Sequence, residues 1–378
     1  MHISRVLATG LGVFALAAAP LLAPSALAAD PWLVTESSSS SEKSEKKGKK
    51  PDRNGKAPRP QSYDAPDFSD KMWNLEDIGS QLANETATGK GAVVAVIDTG
   101  VDVHHPEFEG RFVSPLSWVC PKGVPVPCGG LENADDGHGH GTHVAGTVAA
   151  ADDGKGVTGV APDATIMPIR VGDDDGAIVG DLAAATRYAT EQGADVITIS
   201  IGFILGTGPV ISNPVFPLDD EWAQSVQEAA DAGVLVTLAA GNDGVPYCGQ
   251  GEFWQDAALC VGAYGPDSDP AVYSGWGYEI DLSAPGGGLL TCEGGIWSTV
   301  PMDLDEVDPC TNTPGYAVYA GTSMAAPHVA GVGALLAELG VGGLEAGQRI
   351  TDTARGAGIP TAPGALTGPR LDAAAAVQ

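Results

Sequence analysis

Short runs of apolar and β-branched residues recur along the chain, and each of them ends in a turn. The four clearest are GAVVAVIDTG at 91–100, ATIMPIRV at 164–171, ADVITIS at 194–200 and GVLVTLAAGN at 233–242. Nearly continuous apolar runs of this length are typical of strands that are buried on both faces of a parallel sheet. The pattern therefore predicts four buried parallel strands in these segments.

Stretches with helical periodicity lie between these runs. They cover residues 140–151, 181–192 and 221–232, and a further helix is expected after Ser323. Alternating strands and helices predict a doubly wound α/β domain with a mostly parallel sheet flanked by helices. The sequence has no internal repeat, and a single sheet of this kind can accommodate residues 67–378 as one domain.

Residues 1–28 have the pattern of a secretory signal peptide. Arg5 supplies positive charge, residues 7–22 are rich in alanine and leucine, and Ala26-Leu27-Ala28 matches a cleavage site. The alternative is a membrane anchor, but the apolar stretch is short and is interrupted by two glycines and a proline. No later stretch is apolar for long enough to span a bilayer, so we expect a soluble, secreted protein.

Residues 29–66 are predicted to be a low-complexity basic linker or a short pro-segment. A serine run at 37–41 precedes a polar stretch with eight lysines and arginines between Lys43 and Arg59. This composition is typical of a disordered segment. Such a segment serves as a solvated tether or is removed on maturation.

The overall charge of the chain is strongly negative. Its 378 residues include 19 lysines and arginines against 48 aspartates and glutamates, and the formal net charge is −29. Only ten of the basic residues follow Pro60, so the predicted domain is more acidic than the average suggests. This balance argues against nucleic-acid binding, which requires a basic face. It is compatible with cation binding but defines no partner.

The six cysteines fit an exported protein, because disulfides persist in oxidising environments. Six cysteines allow 15 pairings. Pairing of sequence neighbours is favoured, because each disulfide then closes a short loop. The alternative, a thiolate metal site, lacks any C-x-x-C pair. The favoured pairs are Cys120 with Cys128, Cys248 with Cys260 and Cys292 with Cys310.

Three polar residues lie where a predicted strand ends or a predicted helix begins. Asp98 ends the first strand in AVIDTGVD, His140 opens a helix in HGTHVAGTVAA, and Ser323 opens another in GTSMAAPHVAGVGALL. Open α/β sheets build their sites at such positions. A serine hydroxyl becomes a nucleophile when a base takes its proton and a third group orients that base, so these residues are candidates for nucleophilic catalysis. Taken singly, each motif is more often a cap, turn or loop.

The three motifs together resemble those of the subtilisin-like serine proteases, the subtilases, in which aspartate, histidine and serine occur in this order. The resemblance covers roughly residues 73–377. It implies the subtilisin-like fold and a secreted serine endopeptidase. It also implies that Asp98 is the orienting carboxylate, His140 the general base and acid, and Ser323 the nucleophile.

A fourth stretch, LAAGNDG, resembles the family segment that supplies an asparagine to the oxyanion hole. The resemblance implies that the side chain of Asn242 and the backbone N–H of Ser323 stabilise the developing oxyanion. Thr322 is expected to make a smaller contribution. The stretch DDGHGHGTHVAG also contains His138 and His143. We expect His143 to be a packed helix residue and His138 a loop residue at the edge of the cleft.

The resemblance also indicates residues that bind substrate. Two segments are expected to form the walls of the primary specificity pocket, and a third to pair with the substrate backbone as an added strand. The alternative is ordinary sheet and loop, and an apparent insertion after Gly202 leaves side-chain preference open. The pocket residues are Ser200, Ile201, Gly202, Ala239, Ala240 and Gly241, and the edge residues are Gly176, Ala177 and Ile178.

A structural calcium ion is the one cofactor that the resemblance suggests, and the chemistry itself requires none. The stretch at 150–162 aligns with the family's calcium loop, and its oxygen ligands suit Ca²⁺. The alternative is a solvated acidic loop. The expected ligands are the side chains of Glu107 and Asp153 and the carbonyls of Ala151, Lys155 and Val157.

The sequence therefore predicts a secreted, monomeric serine endopeptidase that acts on proteins or peptides, with a proteinaceous inhibitor as a further candidate partner. Three alternatives remain open at this stage. The first is a processing protease that matures one exported partner. The second is a non-catalytic binding protein at the cell wall on the same scaffold. The third is a metallohydrolase that uses the three clustered histidines.

Overall fold

The computed structural model describes residues 64–201, 220–246, 248, 257–277, 279–288, 291–304, 306–356 and 368–378. All of these residues belong to the unit Ser44–Gln378. The predicted signal peptide, most of the predicted linker, Gly202 and the insertion that follows it lie outside the described residues. The division of the chain at residues 28 and 66 thus stays a prediction.

Ten described strands build the centre of the fold. In chain order they are β1 (Val93–Asp98), β2 (Leu116–Ser117), β3 (Cys128–Gly129), β4 (Thr165–Arg170), β5 (Val196–Ile199), β6 (Leu235–Ala239), β7 (Leu259–Tyr264), β8 (Leu282–Pro285), β9 (Ile296–Thr299) and β10 (Tyr316–Tyr319). Eight of them form one sheet in the order β3–β2–β4–β1–β5–β6–β7–β8. Neighbours in it are parallel, except that β2 and β3 are antiparallel. Strands β9 and β10 pair separately as an antiparallel ribbon.

Helices cover both faces of the sheet. Those of the described residues are α1 (Trp73–Ile78), α2 (Ser80–Asn84), α3 (His140–Ala149), α4 (Leu182–Glu191), α5 (Asp220–Asp231), α6 (Thr322–Glu338), α7 (Gly343–Thr353) and α8 (Ala373–Ala376). Apolar residues of α3, α6 and α7 share one core cluster with one face of the sheet. Residues of α4 and α5 share a second cluster with the other face.

Strand β1 explains why the apolar runs are nearly continuous. Its side chains alternate between the two core clusters, with Val94 and Val96 in the cluster of α3 and α6. Ala95 and Ile97 lie in the cluster of α4 and α5. A strand covered on both faces must be apolar at every position, and this requirement produced the pattern seen in the sequence.

Helix α6 runs through the core, and every residue from Thr322 to Leu336 is buried. Glycines let it pack closely: a Cβ at Gly331 would lie 2.5 Å from Val160 Cβ, and one at Gly333 would lie 2.6 Å from Leu235 Cδ2. No single helix among the described residues is long and apolar enough to cross a bilayer, although the bent pair α6–α7 meets those criteria together by length and composition only.

The four predicted strands and four predicted helices are present in the structure as β1, β4, β5 and β6, and as α3, α4, α5 and α6. The doubly wound α/β fold is thereby confirmed. Strands β7 and β8 were not predicted, because the LSAP sequence of β8 and the glycine of β7 give weak local strand signals. Pairing with β6 and with each other makes these segments strands.

Three disulfides join the six cysteines as Cys120–Cys128, Cys248–Cys260 and Cys292–Cys310. These are the neighbour pairs that the sequence favoured. The second disulfide connects β7 to Cys248, which follows β6 and packs with Ala240 in a small apolar cluster. It thus links β7 to the segment that follows β6 and contains Asn242.

Candidate active site

The three candidate catalytic residues lie at the carboxyl edge of the sheet, on elements that are neighbours in the fold. Asp98 is the last residue of β1, His140 is the first residue of α3, and Ser323 is the second residue of α6. Helices α3 and α6 pack together in the core on the same face of the sheet. The sheet topology thus places a carboxylate, an imidazole and a hydroxyl at the edge where such folds hold ligands.

A buried hydrogen bond of 2.7 Å joins His140 Nδ1 to Asp98 Oδ1. Asp98 is fully buried and His140 is 7 % exposed. An ionised carboxylate only accepts hydrogen bonds, so the ring must carry its hydrogen on Nδ1 when His140 is neutral. Nε2 is then the basic atom. The N–H of Thr99 also donates to Asp98 Oδ1 at 2.7 Å, which fixes the carboxylate in this orientation.

The pKa of His140 lies above the ordinary histidine value. Burial lowers it, but the charge of Asp98, the hydrogen bond to Asp98 and the charge of Asp136 together outweigh that effect. A base with a raised pKa binds its proton more tightly, which favours proton transfer from a serine hydroxyl. The same base is neutral only above its pKa, so activity through His140 must rise with pH.

The hydroxyl of Ser323 is almost fully buried and donates to the backbone carbonyl of Ser200 at 2.7 Å. Ser200 directly follows β5, so this contact brings the carboxyl end of β5 against the candidate nucleophile. Ser323 also lies in the first turn of α6, where the helix dipole favours negative charge.

The amide of Asn242 is held in one orientation by Thr322. Its Oδ1 accepts hydrogen bonds from Thr322 N and Thr322 Oγ1, both at 2.9 Å. A backbone N–H can only donate, so the amide atom that faces it must be oxygen. The NH₂ group therefore points away from Thr322. Gly241 N donates to the same threonine hydroxyl at 3.1 Å, so Thr322 anchors the whole segment.

Close approach of α3 to β1 depends on a glycine. A Cβ at Gly141 would lie 2.1 Å from Gly100 O and 3.0 Å from Asp98 Cβ. A real Cβ atom cannot approach a backbone oxygen to 2.1 Å, so one of the two segments would have to move. Only glycine at this position lets His140 reach Asp98.

The clustered histidines have separate environments. His143 Nε2 bonds to Ile296 O at 3.0 Å, and its ring stacks on Tyr319 with centroids 4.4 Å apart. Burial lowers the pKa of His143 to about 3, so it stays neutral. His138 is half-buried, and its ring lies against Gly176, where a Cβ would be 2.8 Å from Nε2. Within the described part of the chain, no three His, Cys, Asp or Glu residues are grouped to hold a metal ion.

The residues expected to bind substrate lie at the same edge. Ser200 and Ile201 follow β5, and Ala239 ends β6 and leads through Ala240 into Gly241. Gly202 lies outside the described residues. The segment of Gly176, Ala177 and Ile178 folds back on its own chain: Asp173 N donates to Ala177 O at 2.9 Å, and Ile178 bridges Gly172. Pairing of this segment with substrate stays a prediction.

The predicted calcium loop is built around the buried carboxyl of Glu107. Tyr316 Oη donates to its Oε1 at 2.7 Å, and Ala151 N donates to its Oε2 at 3.2 Å. The N–H of Val157 also bonds to this carboxyl. Burial is the main reason that the pKa of Glu107 rises to about 7. The carboxyl thus accepts hydrogen bonds from the loop that closes over it.

A calcium ion needs about six to eight oxygen ligands, and in this structure the two predicted carboxylate ligands bond to protein groups. Both oxygens of Glu107 face hydrogen-bond donors. Asp153 is exposed and accepts from Lys155 N at 3.0 Å, while Lys155 Nζ lies 3.4 Å from Asp64. The calcium site stays a prediction from the sequence, and we assign no role in the reaction to a metal.

Sequence reasoning missed two residues that organise the site. Asp136 and Thr99 hold the start of α3 against the end of β1 through buried hydrogen bonds. The available signal was an acidic residue four positions before His140, since negative charge is favourable near a helix N-terminus. Nothing in the sequence indicated that Thr99 would connect two carboxylates.

A mostly parallel α/β sheet with a buried Asp–His pair and a serine at a helix start defines the class of hydrolases that use an activated serine. Comparison with known proteins specifies the family. A model of the subtilase family matches residues 89–358. The chain belongs to the subtilase family, whose members are serine endopeptidases.

Individual relatives agree with this assignment. Thermitase from Thermoactinomyces vulgaris is 33% identical over 277 residues, which cover 73% of this chain and 85% of that protein. Fervidolysin from Fervidobacterium pennivorans is 36% identical over 285 residues, but these cover 71% of this chain and only 38% of fervidolysin. A protease structure from Pseudoalteromonas arctica matches with a TM-score of 0.65 and 29% identity, and the match covers 84% of this chain and 99% of that one.

We expect Gly141→Ala to lower kcat/KM by about 100-fold, because the new methyl group would push α3 away from β1 and lengthen the His140–Asp98 hydrogen bond. Hydrolysis of a peptide anilide measures this effect. Gly129→Ala is the matched control, since its Cβ would lie 3.8 Å from Pro115 O, an ordinary contact. Equal activity of the two variants would show that the close approach is unimportant.

Glu107 should make the stability of the protein pH-dependent. Its pKa is about 7 in the folded protein against an ordinary value of 4.5, so its stabilising contribution is present below pH 4.5 and is lost as pH rises through 7. The glutamine in Glu107→Gln does not titrate, so this variant should lack the decline in the free energy of unfolding, which is on the order of 2–3 kcal/mol. Urea unfolding across this pH range in a Ser323→Ala background measures it.

The exposed neighbour Glu109 provides the control, because Glu109→Gln should keep the wild-type decline. Identical pH dependence in Glu107→Gln and the parent would contradict the account. So would a calcium-dependent rise in Tm that Glu107→Gln abolishes, because Glu107 would then be a metal ligand.

Proposed function

We propose that the protein is a secreted serine endopeptidase in which Asp98, His140 and Ser323 form the catalytic triad. The observation that carries the proposal is the buried 2.7 Å hydrogen bond between His140 Nδ1 and Asp98 Oδ1. It fixes the ring in the tautomer that leaves Nε2 basic, which is the form that a serine nucleophile requires.

The reaction begins when the Ser323 hydroxyl turns from the Ser200 carbonyl towards His140. Nε2 takes the proton as Oγ attacks the carbonyl carbon of the scissile peptide bond. Asp98 stays ionised and stabilises the imidazolium. His140 then protonates the leaving amine, which leaves an acyl-enzyme on Ser323. Water, activated by the same imidazole, hydrolyses the acyl-enzyme and regenerates the serine.

The negative charge that develops on the substrate oxygen needs donors that are already in place. The backbone N–H of Ser323 and the side-chain amide of Asn242 are the donors in this proposal. Thr322 supports it, because its two hydrogen bonds to Asn242 Oδ1 fix the amide with its NH₂ group turned away from Thr322 and available to another acceptor. An amide oriented in advance stabilises the oxyanion without reorganising during the reaction.

The substrate is a protein or peptide chain that lies along the carboxyl edge of β5 and β6. We assign the walls of the primary pocket to Ser200, Ile201, Ala239, Ala240 and Gly241. The contact between Ser200 O and Ser323 Oγ supports this assignment, because it places the end of β5 beside the nucleophile. Secretion is supported by the three disulfides, which persist in oxidising compartments.

Ser323→Ala should abolish casein hydrolysis and labelling by a fluorophosphonate, because the variant has no oxygen to attack a carbonyl or phosphorus centre. The expected loss in kcat is about 10⁶-fold, the magnitude measured on subtilisin, a member of the same family. The exposed serine in Ser69→Ala is the control and should leave labelling intact. Labelling that persists in Ser323→Ala would refute the assignment.

Asn242→Asp should lower kcat with little change in KM, because it keeps the acceptor for Thr322 but replaces the NH₂ donor with a negative oxygen. We expect a loss of at least about 10²–10³-fold, the range known from removing one such donor in subtilisin. Steady-state kinetics on a peptide ester measures the loss. A wild-type kcat in this variant would exclude Asn242 from the oxyanion hole.

A further inference from the structure

The carboxyl of Asp136 lies buried between β1 and α3, outside the proposed triad. Asp136 is 3 % exposed. Its Oδ1 accepts hydrogen bonds from Thr99 Oγ1 at 3.0 Å and from the backbone N–H groups of His138 and Gly139 at 2.9 Å each. Its Oδ2 accepts from Thr142 N at 3.0 Å and from Thr142 Oγ1 at 2.7 Å. These five donors are backbone N–H and hydroxyl groups, and all of them are neutral.

Thr99 connects this carboxyl to the one that orients the base. Its N–H donates to Asp98 Oδ1, and its hydroxyl donates to Asp136 Oδ1. The same hydroxyl accepts a hydrogen bond from Gly141 N at 2.9 Å. The end of β1 and the start of α3 are therefore joined through one threonine.

These contacts hold the backbone on both sides of His140. Gly139 N is bound to Asp136, and Gly141 N is bound to Thr99. Gly139, the N-cap of α3, has no side chain to cap the helix, so Asp136 supplies the missing acceptor for the first turn. The position of the imidazole relative to Asp98 follows from this hydrogen-bonded frame.

The charge of Asp136 also acts on His140. Among the residues that the structure describes, the titratable groups facing the imidazole include Asp98 on β1, Asp136 and His138 in the loop before α3, and His143 on α3. Asp98 and Asp136 both raise the pKa of His140. Burial raises the pKa of Asp136 itself, while its hydrogen bonds lower it in part. Tyr319 faces Asp136 and is buried with a raised pKa, so it remains a neutral phenol.

We propose that Asp136 is a positioning residue for the general base. Its carboxylate holds the backbone around His140 in register with Asp98, and its negative charge supports the imidazolium that forms when Ser323 gives up its proton. The proposal rests on the catalytic role of His140 proposed above and extends it to a second buried carboxylate.

Two variants distinguish the effect of the hydrogen bonds that position His140 from the effect of the Asp136 charge. Thr99→Val keeps the shape of the side chain and both carboxylates but removes the hydrogen bonds to Asp136 and Gly141. Asp136→Asn removes the charge and turns an NH₂ group towards existing N–H donors. Thr99→Ser is the matched control, since it retains the hydroxyl. Asp372→Asn, which alters the N-cap carboxylate of α8, controls for loss of a helix cap elsewhere.

The experiment measures kcat, KM and the pH profile of kcat/KM on a peptide anilide, per active site titrated with a fluorophosphonate. We expect kcat per site to fall about 10- to 100-fold in Thr99→Val and Asp136→Asn, with KM nearly unchanged, because the base is displaced. The acidic limb of the profile should move to lower pH further in Asp136→Asn than in Thr99→Val, since only Asp136→Asn loses one of the two carboxylates that raise the pKa of His140. Both controls should keep the wild-type kcat and acidic limb.

The outcomes are distinguishable. If Asp136→Asn folds and shows a wild-type kcat per site or an unmoved acidic limb, with only Tm reduced, Asp136 is a structural cap and the proposal is overturned. If Asp136→Asn does not fold, Thr99→Val decides, and a kcat per site equal to that of Thr99→Ser overturns it. Failure of the wild-type protein to react with the fluorophosphonate would instead refute the proposed function.

Discussion

The hydrogen bond between Asp98 and His140 is the interaction on which the rest of the site depends. It joins the end of the central strand β1 to the start of α3 at 2.7 Å, in surroundings from which water is almost excluded. A buried carboxylate is costly unless it is hydrogen-bonded. The imidazole and the Thr99 N–H both bond to Oδ1 of Asp98, whereas Oδ2 has no hydrogen-bond partner among the described residues. The glycine at 141 allows the approach, because any side chain there would meet Gly100 O. The close contact that orients His140 for catalysis therefore also supplies a hydrogen bond to the buried Asp98 carboxylate.

Two further buried carboxyl groups, those of Asp136 and Glu107, accept hydrogen bonds from neutral donors. Asp136 accepts from backbone and hydroxyl groups, and Glu107 accepts from a tyrosine and loop amides, in the part of the chain that the structure describes. Neutral donors satisfy a buried carboxyl without fully cancelling its charge. At Asp136 the remaining charge acts on the neighbouring imidazole. At Glu107 the effect of burial outweighs that of the hydrogen bonds and raises the pKa to about 7, so this carboxyl changes its protonation state near neutral pH.

Much of this could be predicted from the sequence, for identifiable reasons. The strands with both faces buried were visible as continuous apolar runs, and Asp98, His140 and Ser323 lie in short motifs at strand and helix ends. Strand β8 could not be predicted, because LSAP is a strand only through its neighbour. The roles of Asp136 and Thr99 depend on contacts between segments far apart in sequence. Glu107 was predicted to bind calcium by alignment, and no local pattern revealed its hydrogen bond with Tyr316.

The central claim is that the buried Asp98–His140 pair is a preorganised base, and an NMR titration of the histidine side chains of the Ser323→Ala protein tests it most directly. His143 and His328, with pKa values of about 3 and about 4, stay neutral near physiological pH and do not obscure the measurement. The account predicts that His140 titrates with a pKa above 6.5, and that Asp98→Asn lowers this pKa and removes the hydrogen-bonded Nδ1 proton. A His140 pKa at or below 6.5, or one that Asp98→Asn leaves unchanged, would contradict it.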